Sequence, residues 1–253
     1  MNKLCVISMS GGLDSTTLAM KAMEDGYTVL PINIEYGQKN IVELRAFNEV
    51  YSFFRRNFND QILDPVHLNL AEMMQESVKL YEKLRDNNKV KKATGHEFYT
   101  PSRNLVFSTL AAMVGEIAGI AEGLTEVKVG LGIHSHSDVY NRDYWDITPE
   151  FVDRLNAVFA LNDSMQISIY APYAKVLKSE IVKDAIRLGV PYELTWTCYN
   201  PVKTITPKGS RYRPCLKCEA CQERALAGKV AGAENINNYD ILIQEMTNTK
   251  DEK

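Results

Sequence analysis

Three groups of side chains in this sequence have the types and spacing that chemistry needs. The first is Ser10-Gly11-Gly12-Leu13-Asp14-Ser15-Thr16-Thr17, which follows a short apolar run from Lys3 to Met9 and precedes apolar residues at helical spacing from Asp14 to Met23. That order predicts strand, tight loop, helix. Backbone N–H groups and the positive end of the helix then converge on an anion. The glycines permit close backbone approach, and Ser10, Ser15 and Thr16 add hydroxyl donors, so Ser10, Gly11, Gly12, Leu13, Asp14, Ser15 and Thr16 read as a phosphate cradle. The loop has no lysine, which excludes the G-x-x-x-x-G-K-[ST] pattern, and G-x-G-x-x-G is absent too. A capped strand-to-helix turn is the plainer reading of the same residues.

The second group is Cys198, Cys215, Cys218 and Cys221, spaced C-x16-C-x2-C-x2-C. Four clustered thiolates in a reducing compartment match the ligand number of tetrahedral zinc, with an iron–sulfur cluster as the alternative. Pro201, Pro207, Gly209 and Pro214 lie between the first ligand and the rest, which predicts an irregular loop around the metal, and Cys215 to Cys221 could open a helix. Cys5 falls in the first apolar run and reads as a buried, inert thiol. The third group, His134-Ser135-His136-Ser137-Asp138, follows a strongly apolar stretch. Its two imidazoles could bind metal in an extended segment, or hydrogen-bond a substrate, or do neither. Trp145 beyond it reads as a pocket wall or core anchor.

These groups need a scaffold. Tyr27–Ile34 and Gln61–Leu68 read as strands, with a helix over Asn40–Phe58 between them; Pro101–Ile120, Pro149–Leu161 and Val176–Leu188 read as helices, the last stopped by Gly189. Glu126–Ile133 and Gln166–Ala171 complete a set of short strands alternating with helices. The expected fold is therefore α/β, a doubly wound parallel sheet with right-handed crossovers and a small C-terminal zinc-binding module. Expected boundaries are 1–195 for the nucleotide-binding domain, 196–226 for the cysteine module and 227–253 for a fraying tail. Leu84–Tyr99 is polar and aperiodic, a mobile active-site loop or a plain insertion.

Composition narrows the partners. A chain of 253 residues, 45% of them hydrophobic, can bury one good core. No run reads as a membrane span, the first residues do not read as a secretory signal, and the expected location is the cytoplasm. A net charge of -3 provides no field to draw in a polyanion, so nucleic acid is not an expected partner. Basic residues at Lys89, Lys91 and Lys92, and at Lys203, Lys208, Arg211 and Arg213, read as solvated surface.

S-G-G-x-D-S after a first strand resembles the signature of the PP-loop ATP pyrophosphatases, which cut ATP between the α- and β-phosphates. More specifically, Tyr36-Gly37-Gln38-Lys39, Thr100-Pro101-Ser102-Arg103-Asn104-Leu105 and Thr197-Cys198-Tyr199-Asn200, ahead of C-x-x-C-x-x-C and Arg224, resemble segments of the 7-cyano-7-deazaguanine synthase (QueC) family in the same order over residues 3 to 224. The resemblance implies an ATP-dependent ligase that turns 7-carboxy-7-deazaguanine and ammonia into the nitrile, with ATP, Mg²⁺ and Zn²⁺ as cofactors and a homodimer as the assembly. It implies that Ser10 to Thr16 hold the departing pyrophosphate, that Asp14 helps to hold Mg²⁺, that Arg103 contacts phosphate or substrate carboxylate, and that Lys178, in a K-x-E match with Glu180, neutralises a phosphate. Substrate contacts would come from Tyr36, Gln38, Arg103, Asn104, His134, Asp138, Tyr144 and Asp146. The pattern departs from the family over Gly132 to Phe151, where only Asp138, Tyr144, Asp146 and Phe151 match. That departure admits a relative that joins the activated acid to an amine on a protein. A tRNA sulfur transferase and a non-enzymatic nucleotide-binding module are more distant alternatives.

Overall fold

The computed structural model describes residues 2–36, 41–86, 100–134, 144–206, 209–233 and 241–243. Its centre is a five-stranded parallel sheet of β1 (Leu4–Ser8), β2 (Thr28–Glu35), β3 (Val66–Asn69), β4 (Glu126–Gly130) and β5 (Gln166–Tyr170), in the order β3-β2-β1-β4-β5. This is the doubly wound arrangement expected from the sequence. Both faces of a parallel sheet must be covered, which is why β1 is apolar and buried at each position from Leu4 to Ile7 rather than alternating. Leu4 and Val6 pack with α4 (Arg103–Ala121) and α5 (Pro149–Phe159); Cys5, Ile7 and Met9 pack with α1 (Leu13–Glu24), α2 (Ile41–Asn57) and α6 (Lys178–Arg187). Cys5 is fully buried, and burial pushes its thiol far up, consistent with an inert packing role.

The departures from expectation have local causes. Within Gln61–Leu68, a short 3-10 turn (Asn59–Gln61) and one isolated bridge from Ile62 to Val29 precede β3. Pro65 has no N–H for the ladder, so regular pairing starts just after it. Helix α3 (Ala71–Asp86) carries the chain into the stretch read as an aperiodic insertion, of which residues 87–99 lie outside the described residues. Helix α4 is the one described helix long and apolar enough to cross a membrane. Here it lies on the sheet, where Gly115 and Gly119 let it close on Val6, Val127 and Met165, and its outward face carries exposed Met113, Ile117 and Ile120.

The described residues between Cys198 and Cys215 form mostly regular strand, contrary to the irregular loop expected. Strands β6 (Val202–Thr206) and β7 (Gly209–Arg213) form an antiparallel hairpin, and β8 (Ile241–Ile243) adds to β7. Pro201 and Pro214 flank the two strands, where the missing N–H costs no ladder bond. Helix α7 (Glu219–Val230) starts at Cys218 and runs past residue 226, and Ala227 and Ala233 sit in the main core, so that part of the expected tail is packed.

Candidate functional site

The strand order reverses between β1 and β4, and the crevice beyond their carboxyl ends is where open α/β sheets bind ligands. The loops leaving these strands, Met9–Gly12 and Leu131–Ile133, line a cavity of about 240 Å³. One water takes roughly 30 Å³, so this space suits a ligand rather than a single solvent molecule. Ser10, Gly12, Leu13, Asp14 and Ser15 form its floor.

The loop is held from behind. Gly11 adopts φ +77° because α2 passes so close that no side chain fits, and its carbonyl accepts from Trp196 N at 2.9 Å. Gly12 N donates to Ser10 Oγ at 3.2 Å, and Ser10 N donates to Ser15 Oγ at 3.4 Å. Thr16 differs from the expectation. It is fully buried and donates its hydroxyl to Gly12 O at 2.8 Å, so it stiffens the first helical turn instead of facing a phosphate.

Asp14 and Lys178 arrive from opposite ends of the chain. Lys178, at the start of α6 and 3% exposed, pairs with the Asp14 carboxylate, which is 30% exposed and lines the cavity. The lysine therefore acts on the loop through Asp14. Across the cavity stand Tyr36, Arg103, Asn104, Phe107, Thr197 and Tyr199, together with Glu43 on the first turn of α2. Burial works against the Arg103 charge, but Tyr36, Tyr199 and Glu43 outweigh it, and the guanidinium holds its proton more tightly than usual. Burial likewise pushes Tyr36 up, and it pushes Glu43 up to about 7 against the opposing pull of Arg103. The sequence reading did not single out Glu43. Its only signal is position: it borders the apolar stripe Val42, Ala46, Phe47 and Val50 that buries α2.

The other expected substrate residues divide. Asp146 is 3% exposed and accepts from Asn104 N at 3.2 Å, while Asn104 Nδ2 donates to Asp146 O at 3.1 Å. Asp146 therefore caps α4, whose Ser102 makes no side-chain cap, and does not itself line the cavity. Tyr144 and His134 are half-buried and neither lines the cavity, though Ile133 beside His134 does. Trp145 is half-exposed and packs edge-on against Phe151, 5.4 Å between centroids, as an outer anchor for α5. Gln38, His136 and Asp138 lie outside the described residues.

The four cysteines meet. Their sulfurs all lie within 4.8 Å of one another, with Cys215–Cys221 and Cys198–Cys218 at 4.0 Å. Tetrahedral zinc with Zn–S near 2.3 Å requires sulfurs roughly 3.8 Å apart, so the set fits one ion. An iron–sulfur cluster would put each thiolate on a different iron and needs a wider ring. Lys217 N and Cys218 N donate to Cys215 Sγ, and Cys215 N to Cys198 Sγ, which stabilises thiolate charge. The module packs on α2 through Val42, Ala46 and Trp196. Buried Arg224 on α7 donates to Thr195 O, Thr195 Oγ1, Thr197 Oγ1 and Tyr192 O and stacks on the Tyr192 ring at 4.1 Å. The cysteine cluster and Arg224 together hold the segment 195–199, of which Trp196, Thr197 and Tyr199 wall the cavity.

Comparison with known proteins covers nearly the whole chain. The family described as "Queuosine biosynthesis protein QueC" matches residues 4–232. A 7-cyano-7-deazaguanine synthase of Clostridium kluyveri is 31% identical over 246 residues, spanning 94% of this chain and 98% of that protein. Synthases of the same name from Pseudoalteromonas translucida and Psychromonas ingrahamii are 30% and 29% identical, over 95% of this chain and 100% and 99% of theirs.

Proposed function

The chain belongs to the QueC family, and from that premise we propose that it is an ATP-dependent ligase that converts 7-carboxy-7-deazaguanine and ammonia into 7-cyano-7-deazaguanine in the cytoplasm. The observation that carries this reading is the opposition of a lysine-free phosphate loop and a half-buried arginine across one cavity. Backbone N–H groups at the start of α1 receive the β- and γ-phosphates, and Arg103 faces them with a planar fork suited to a carboxylate or the α-phosphate. The acid oxygen attacks the α-phosphorus and pyrophosphate leaves. Ammonia then displaces AMP to give the amide. A second activation, on the amide oxygen, allows elimination to the nitrile. The residues act by alignment and charge stabilisation. Phe107 and Tyr36, edge to face at 5.4 Å, offer an aromatic wall for a flat bicyclic base.

Asp14 is the carboxylate at the loop, and it would give a Mg²⁺ entering with the nucleotide one ligand, with phosphate oxygens and water as the rest. Zn²⁺ at Cys198, Cys215, Cys218 and Cys221 supplies folding energy to the module rather than chemistry. The apolar outward face of α4, with Ile117 64% exposed and Ile120 56% exposed, supports a homodimer buried there. Incubation with the deazaguanine acid, ATP, Mg²⁺ and ammonium should give nitrile, AMP and pyrophosphate by mass spectrometry. Adenylate formed without amide or nitrile would refute the reading.

A further inference from the structure

Nitrile formation asks the cavity to move protons as well as phosphates. Ammonia loses one proton when its lone pair attacks the acyl carbon and the C–O bond to AMP breaks. The amide nitrogen loses a second as its oxygen is adenylated, and a third as the remaining C–O bond breaks and the C≡N bond closes. Each departing AMP carries away the bonding electron pair on its phosphate oxygen, so every step needs a base at nitrogen and no oxidant or reductant.

Among the described residues, the cavity has few groups able to serve. Arg103 is a permanent cation. Tyr36 has its phenol pushed up by burial and keeps its proton. Asp14 sits at the phosphate end, paired with Lys178. Glu43 remains. It lies on the first turn of α2 and lines the same cavity as Ser10, Gly12 and Asp14, within electrostatic reach of Arg103 and Tyr36. Burial limits its solvation, and it shares the cavity with Arg103, the residue read above as facing the carboxylate or α-phosphate.

We propose that the Glu43 carboxylate is the general base that accepts the protons shed by nitrogen on the way from acyl adenylate to nitrile, returning each to solvent before the next. This deepens the reading above and rests on it. Burial raises Glu43 to about 7, which suits a base that is half ionised at neutral pH and can both take up and release a proton. Among the described residues, the charged and titratable groups that share the cavity with it are Arg103 from α4, Tyr36 from the end of β2, Asp14 from α1 and Tyr199 from the cysteine module. Tyr36 stays neutral as Glu43 titrates, and Arg103 stays charged.

The test separates the two half-reactions. Acid-dependent exchange of pyrophosphate into ATP, measured without ammonium, reports adenylation, which needs no base at nitrogen; amide and nitrile formation reports the steps that do. For Glu43→Gln, exchange should remain within about threefold of the parent while nitrogen incorporation falls by at least about 100-fold, with Glu43→Asp intermediate. In the parent, kcat for nitrogen incorporation should rise through pH 7 as Glu43 ionises, and this limb should vanish in Glu43→Gln. Retention of nitrogen incorporation within threefold, or equal loss of exchange and incorporation, overturns the role. Absence of exchange in the parent protein overturns the substrate reading itself, so the two failures are told apart. The parent pH profile tests the role independently of whether a variant folds.

Discussion

Substituting Gly11 should damage the protein far more than substituting Gly12, although the two are adjacent in the same motif. A Cβ on Gly11 would stand 2.2 Å from Phe47 N, 2.6 Å from Ala46 C and 2.8 Å from Phe47 Cα. These are backbone atoms of α2, so no rotamer change relieves them. The φ of +77° adds strain for any side chain, about 1–3 kcal/mol for a residue held left-handed. Displacing packed backbone adds about 1–3 kcal/mol more. Gly11→Ala should thus cost about 4 kcal/mol, and it would also disturb the 2.9 Å bond from Trp196 N that ties the loop to the cysteine module. Gly12 already has φ -78° and ψ 160°, open to alanine, and its Cβ would meet the movable Ser10 Oγ at 3.1 Å and the Trp196 carbonyl at 3.3 Å. Gly12→Ala should cost under about 1 kcal/mol in stability while weakening ATP, because its methyl borders the anion floor. Urea unfolding followed by tryptophan fluorescence, with zinc saturating, should shift the Gly11→Ala midpoint down by about 1–2 M and leave Gly12→Ala nearly unmoved. Equal midpoints for the two variants would refute the packing argument.

Asp146→Ala removes a buried cap from α4 and should lower stability by about 1.5 kcal/mol, a drop in Tm near 4 °C by calorimetry; a kcat loss out of proportion to that drop would instead mean substrate contact. Arg224→Met leaves the Tyr192 and Thr195 carbonyls without their donor and should cost about 3 kcal/mol, and Arg224→Lys should not restore it, because one ammonium cannot span the four acceptors. Metal analysis should find one zinc per chain and no iron, and chelation should lower both Tm and ATP binding, because the module holds segment 195–199 against Gly11; stoichiometric iron, or ATP binding indifferent to metal loss, would overturn that role.

The features legible in the sequence are those whose physics is short-range. A loop of glycines and hydroxyls between an apolar strand and a helix makes an anion cradle from its own backbone, and C-x2-C-x2-C brings three thiolates together within two turns of chain. The apolar runs alternating with amphipathic helices led to the parallel sheet for the same reason: each element shows its buried face in its own periodicity. The hairpin between Cys198 and Cys215 escaped notice because Pro201 and Pro214, read as breakers, lie just outside the ladders.

Tertiary structure decided what each polar side chain does. Asp14 meets Lys178 across 164 residues, and Asp146 caps Asn104 across 42, so two residues that read as ligand contacts are partly or wholly bound to protein. Glu43 enters the cavity only because the order β3-β2-β1-β4-β5 sets α2 beside the phosphate loop, and Thr16 turns away from it only because α1 packs that face against the core. Residue type and local spacing determined where phosphate and metal could bind; long-range packing, which no local pattern encodes, determined which charges remain available to react.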